Sequence, residues 1–262
     1  MGVVIILIVV VFFVYIRFKY FLDKNERSEP TLEQLTSNQR QILERYFDYY
    51  NNLPDNTQKR LFEHRVTRFI QLKTFVPQQG IPQITDEMKV LVAASAMQLA
   101  FGFKDVYYEH FTKIILYPAE IYGKYTKQWY EGKVKLDGRI FLSWKNFVNG
   151  YKFPEDGRNL GLHEMAHALF FENAIMNSCY DFIDRNALNK FALLAKKEIL
   201  AMKNGESAFF RPYASQNRHE FFAVSVEYFF EKPVAFLEAK PDLYNTLVKL
   251  LKQDPSYRKI QH

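Results

Sequence analysis

Between Gly161 and Asn173 the chain reads GLHEMAHALFFEN, and one spacing there constrains the fold more than any other. His163 and His167 stand four positions apart, with Glu164 directly after the first. On a helix, positions i and i+4 share a face with Cβ atoms ~5–6 Å apart, so both imidazoles can aim a ring nitrogen at one ion. Zinc suits imidazole and takes Zn–N bonds of ~2.0–2.1 Å. Glu164 follows His163 by ~100° of helical rotation, which sets it beside such an ion rather than on it. From there its carboxylate can take a proton from a water whose pKa the ion lowers towards ~7. The bland alternative is an amphipathic helix that carries two surface histidines, with the turn-like FPEDGRN before it.

A catalytic zinc usually has three protein ligands and one open position. The segment RPYASQNRHEFFAVSVEYFFEKP, Arg211 to Pro233, is the best place for the third. It reads as an aromatic-rich, buried helix that carries Glu220, Glu227 and Glu231. A carboxylate inside such a helix needs a cation or hydrogen bonds to offset its desolvation. Glu220 and Glu227 are seven apart and share a face, so one could ligate the ion while the other braces a histidine ring. His219 points ~100° away from Glu220 and reads as a polar surface residue or one that steadies the site from behind.

The rest of the chain places these two helices. Asp55 and Thr85 sit as N-caps before the helical patterns DNTQKRLFEHRVTRFIQLKTF and TDEMKVLVAASAMQLAFGF, and NQRQILERYFDYYNNL precedes them as another helix. TKIILYP reads as a buried strand, and GKVKLDGRIFLSW as a hairpin turning at Asp137-Gly138. Helices are expected over about 158 to 175 and 217 to 231, with a further helical stretch over about 182 to 204. Helices, then a small sheet, then helices again make an α+β fold.

The amino terminus has a different character. Val3 to Ile16 is an unbroken apolar run, extended by Phe18 and Tyr20 to Leu22, and Arg17, Lys19, Lys24 and Arg27 all follow it. That approaches the ~20 residues of a membrane span, and the cations behind it leave the amino terminus outside and the remainder in the cytoplasm. The formal charge of +6 is modest, with no basic groove of the kind that would make nucleic acid a direct ligand. The single cysteine, Cys179, cannot form an internal disulfide and reads as a packing or surface residue.

Several blocks in order resemble the Mlc titration factor A family of zinc metallopeptidases: DEMKVLVAASA, LYP with a later LSW, PEDGRNLGLHEMAHAL, EFFAVSVEYFFEKP and PDLYNTLVKLLKQDP. The second helix is also similar to the corresponding segment of anthrax lethal factor. The resemblance implies a zincin-like peptidase domain, placed over 36–262; the apolar run, read as a transmembrane signal anchor (1–22), and the polar juxtamembrane linker after it (23–35) depart from the family's soluble founding member. It implies Zn2+ on His163, His167 and Glu220, Glu164 as general base, and Tyr213 as donor to the oxyanion. It also implies aminopeptidase-like activity on short peptides. One departure is Phe170, where the family often has Asp; that role must be either lost or taken over, with Glu172 and Glu227 as the candidates.

The expected function is therefore peptide-bond hydrolysis on a peptide or protein substrate. The substrate is expected to lie extended along an edge strand near RIFLSW. The alternative is a membrane-tethered binding module that sequesters a cytoplasmic transcription regulator.

Overall fold

Local side chains decide where most of the helices start. Thr36 and Gln39 form a reciprocal capping box ahead of α1 (Ser37–Tyr46). Phe47, buried in the core, breaks the helical path there, so a single expected helix becomes α1 and the short α2 (Asp48–Asn51). Asp55 accepts from the backbone N–H groups of Thr57 and Gln58 and starts α3 (Asn56–Leu72), as its sequence predicts. Thr85 accepts from the N–H of Met88 and starts α4 (Asp86–Ala100), in which every residue from Val90 to Ala100 is buried.

The computed structural model describes residues 34–78, 80–123, 126–175 and 182–260. The expected anchor over 1–22, nearly all of the expected linker and Cys179 lie outside the described residues. Among the described residues no helix is long and apolar enough to cross a membrane. From Leu35 onward the chain forms one compact unit.

The expected helix through Phe75 ends earlier, at Leu72. Thr74–Pro77 leaves it as strand β1, because a β-branched and aromatic run ending in proline suits an edge better than a helix. β1 pairs in parallel with β2 (Lys113–Tyr117), and β2 pairs in parallel with β6 (Arg139–Ser143). Between them lie a separate two-stranded hairpin, β3 (Ile121–Gly123) with β4 (Gln128–Tyr130), and then β5 (Gly132–Lys135). β5 runs antiparallel to β6 across the expected Asp137-Gly138 turn, where Gly138 takes φ +87°. The sheet order is β1-β2-β6-β5, so the sheet is small and mixed, as expected. RIFLS, however, is β6 and lies inside it. The edge strand near it is its hairpin partner β5, which leaves β6 paired on both sides.

Ser143 caps α5 (Trp144–Lys152), which leads through a turn to α6 (Leu160–Ile175). α7 (Arg185–Lys203), a 3-10 turn (Pro212–Ser215) and α8 (Arg218–Glu231) follow, and α9 (Pro233–Ala239), α10 (Pro241–Leu251) and α11 (Pro255–Ile260) close the chain. α6 packs against α8 and α4 on one side and meets β5 and β6 on another. Ile114, Leu116, Ile140 and Leu142 of the sheet and Leu162, Met165 and Leu169 of α6 join one hydrophobic core. The fold is α+β, and its two most buried late helices are the ones that carry the motif residues.

Candidate metal centre

Asn159 sets the start of α6: its carbonyl accepts from the N–H of His163 (2.9 Å) and its side chain from that of Leu162 (3.0 Å). One turn apart, the Nε2 atoms of His163 and His167 lie 3.1 Å from each other. Asn217 caps α8, accepting from the N–H groups of His219 and Glu220 (2.9 and 3.1 Å), so Glu220 falls in the first turn. Its Oε2 lies 3.1 Å from His163 Nε2 and 3.4 Å from His167 Nε2. Ligands bound tetrahedrally at ~2.0–2.1 Å stand about 3.3 Å apart. The observed triangle has that size, and two imidazoles with one carboxylate suit zinc, so these three residues could hold a metal ion.

The protonation of the site argues the same way. Glu227 Oε1 lies 2.7 Å from His163 Nδ1; a carboxylate paired with arginine accepts, so Nδ1 carries a hydrogen, and in the neutral ring Nε2 presents a lone pair. That lone pair faces a carboxylate oxygen, an arrangement that is favourable only with a cation or a proton between them. Burial opposes a charge on His163, yet Glu227 and then Glu220 overcome it and raise the imidazole to about 10. The same negative potential attracts a divalent cation. Burial likewise resists ionisation of Glu220, and hydrogen bonds from both histidines reverse this and hold the carboxyl far below its ordinary range.

Glu164 is buried beside the triangle, and among the described residues its Oε2 has no hydrogen-bond partner. Burial pushes its pKa upward, with both histidines opposing the rise. A buried, unsatisfied carboxylate oxygen costs stability unless a ligand uses it. β5 presses on this group: a Cβ on Gly132 would lie 2.6 Å from Glu164 Cγ and Oε1. Tyr213, on the 3-10 turn, has its ring 6.0 Å from that of His163 and is 43% exposed. Partial burial, then the charge of Glu220 and a hydrogen bond to it, push the phenol up to about 12, so it stays a donor at neutral pH.

Glu227 lies behind the histidine, away from the triangle, and Arg211 holds it there. Arg211 Nη2 is 2.5 Å from Glu227 Oε1, Nη1 is 3.2 Å from Oε2, and Nη1 also donates to the carbonyl of Gly157. The N–H of Asn159 completes the set at 2.6 Å. Of the two acids expected to compensate for Phe170, it is Glu227 that meets the ring. Glu172 turns instead to the N–H of His110. Phe170 packs on His219 (4.9 Å) and Phe222 (5.9 Å), and His219 is an exposed surface residue. Sequence reasoning missed Arg211, Asn159 and Gly132. An arginine directly after Phe209 and Phe210 was the one available signal, since a cation set among aromatics needs a partner.

His163, Glu164 and Tyr213 line a cavity of about 560 Å³ together with Trp129, Phe153 and Arg158. The profile of the family described as glucose-regulated metallo-peptidase M90 matches residues 22–252. Among curated proteins, Mlc titration factor A of Edwardsiella ictaluri is 28% identical over 231 residues, 80% of this chain and 85% of the relative. Mlc titration factor A of Cronobacter sakazakii is 29% identical over 218 residues, 73% and 77% of the two chains. An uncharacterised protein of Synechocystis is 26% identical over 232 residues, 82% and 83%.

Proposed function

The chain belongs to the glucose-regulated metallo-peptidase M90 family, and on that premise we propose that it is a zinc-dependent peptidase with His163, His167 and Glu220 as ligands. The observation that carries this reading is the triangle of donor atoms 3.1 to 3.4 Å apart, with the partnerless oxygen of Glu164 alongside. A zinc ion held there supplies Lewis acidity and lowers the pKa of water. Glu164 takes the proton of the attacking water and returns it to the leaving amine. Its upward-shifted pKa suits both halves of that transfer. Tyr213 donates its hydroxyl hydrogen to the oxygen that becomes negative on the tetrahedral carbon; donors of this type contribute about 3 kcal/mol. Glu227 and Arg211 keep the His163 ring oriented. The substrate lies extended along the open side of β5, whose first residue touches Glu164.

Aminopeptidase-like trimming is the finer reading that the family resemblance supports. Peptides blocked at the amino terminus discriminate, since an aminopeptidase leaves them intact. The apolar run Val3 to Ile16 with cations only behind it supports a membrane-anchored catalytic domain facing the cytoplasm. Membrane fractionation of the full chain checks this, and recovery in the soluble fraction excludes it. The relatives' name, Mlc titration factor A, supports a second role in binding a regulator protein. Capture of a transcription regulator by the Glu164→Gln chain tests it.

The central test is elemental analysis paired with peptide turnover. The wild-type chain is expected to hold one zinc, and Glu220→Gln to lose most of it. Glu164→Gln is expected to keep the metal and lose activity by at least about a hundredfold. Metal retention in Glu220→Gln together with loss in Glu227→Gln would overturn the ligand set.

A further inference from the structure

Among the described residues of the hairpin of β3 and β4, no side chain belongs to the buried cluster or packs on it. The hairpin nevertheless carries Tyr122, Trp129 and Tyr130. Trp129 is 69% exposed, supported from one side by Tyr122 with ring centroids 5.1 Å apart. Phe153, at the end of α5, is 61% exposed and likewise outside the core. Single exposed aromatics are ordinary on protein surfaces. These two come from separate elements and line the same cavity, which also touches Gly132, His163 and Glu164. Burying either ring on a ligand removes apolar area from water, and neither ring has a folding role that competes with this.

We infer that this cavity is the specificity subsite of the enzyme and takes a large apolar or aromatic side chain of the substrate against Trp129 and Phe153. The inference rests on the peptidase reading for its meaning, but its binding half is independent of turnover. The volume of about 560 Å³ exceeds what one side chain fills, so the cavity also admits adjoining main chain. The β4–β5 connection is short: Trp129 precedes Gly132 by three residues, so the aromatic wall and the open side of β5 are offered to one extended ligand.

The test uses the full-length, zinc-loaded chain carrying Glu164→Gln, with fluorescently labelled tetrapeptides read by anisotropy. In the peptide set, one position at a time is Ala, Leu, Phe or Trp. At one position Phe or Trp is expected to bind at least about tenfold more tightly than Ala. Adding Trp129→Ala, or separately Phe153→Ala, is expected to bring that ratio down to within about threefold. Thermal melting and zinc content check that each variant is folded. The absence of any preference, or a preference that survives both substitutions, overturns the inference. Failure of the peptidase reading has a different signature: the wild-type chain binds these peptides with the stated preference and leaves all of them uncut.

Discussion

At the scale of single residues, the arginine behind the site makes a sharper prediction than the ligands do. Arg211 neutralises Glu227, a carboxylate that is almost fully buried and holds the His163 ring. Arg211→Met leaves that carboxylate without its cation, which costs about 3–5 kcal/mol when a buried pair is broken from one side. Zinc affinity is expected to fall about 10- to 100-fold, measured by competition with a chromophoric chelator. Unchanged affinity would remove Arg211 from the site. A second prediction concerns Glu231, whose Oε2 accepts from the N–H of Gly157. Burial, assisted by the charge of Glu227, raises it from 4.5 to about 8. Between those values the folded chain keeps a proton that the unfolded chain releases. The associated stability is fully present below pH 4.5 and is lost as pH rises through 8. Glu231→Gln cannot titrate. The stability of wild type relative to this variant is expected to fall by at least about 1 kcal/mol from pH 5 to pH 8, followed by urea unfolding.

At the scale of elements, β5 and α6 are locked by an absence of side chain. Gly132→Ala places a methyl group into the Glu164 carboxyl, and the strand or the base must shift. The expected outcome is a fall in kcat of about tenfold or more, with zinc content unchanged, because the ligands lie elsewhere on α6 and α8. Equal kcat in the variant would show that the contact yields at no cost. The caps at Asp55 and Thr85 and the turn at Gly138 were legible in the sequence, because each acts within a few residues of itself. The shared face of His163 and His167 was legible for the same reason. β1 was not: Thr74 to Pro77 becomes a strand only because β2, some forty positions later, pairs with it. The inner position of β6, the approach of Gly132 to Glu164 and the clasp of Arg211 on Glu227 are long-range too. No periodicity within a window records them.

At the scale of the molecule, α6 and α8 are separate in sequence and meet at the triangle of His163, His167 and Glu220. A zinc ion there would tie the two helices together, and binding energy specific to the folded chain adds to stability. Chelation is expected to lower the melting temperature, and returned zinc to restore it. At a free zinc concentration a thousand times Kd the difference corresponds to about 4 kcal/mol. A chelator-insensitive melting curve would count against a resident ion. The open flank of β5 has a consequence of another kind. As a substrate edge it would read main-chain amides, which a folded protein has already committed to its own sheets and helices. On the peptidase reading, susceptibility is therefore set first by looseness: frayed tails, unfinished chains and short fragments can lie down on that flank, while well-packed proteins pass it untouched.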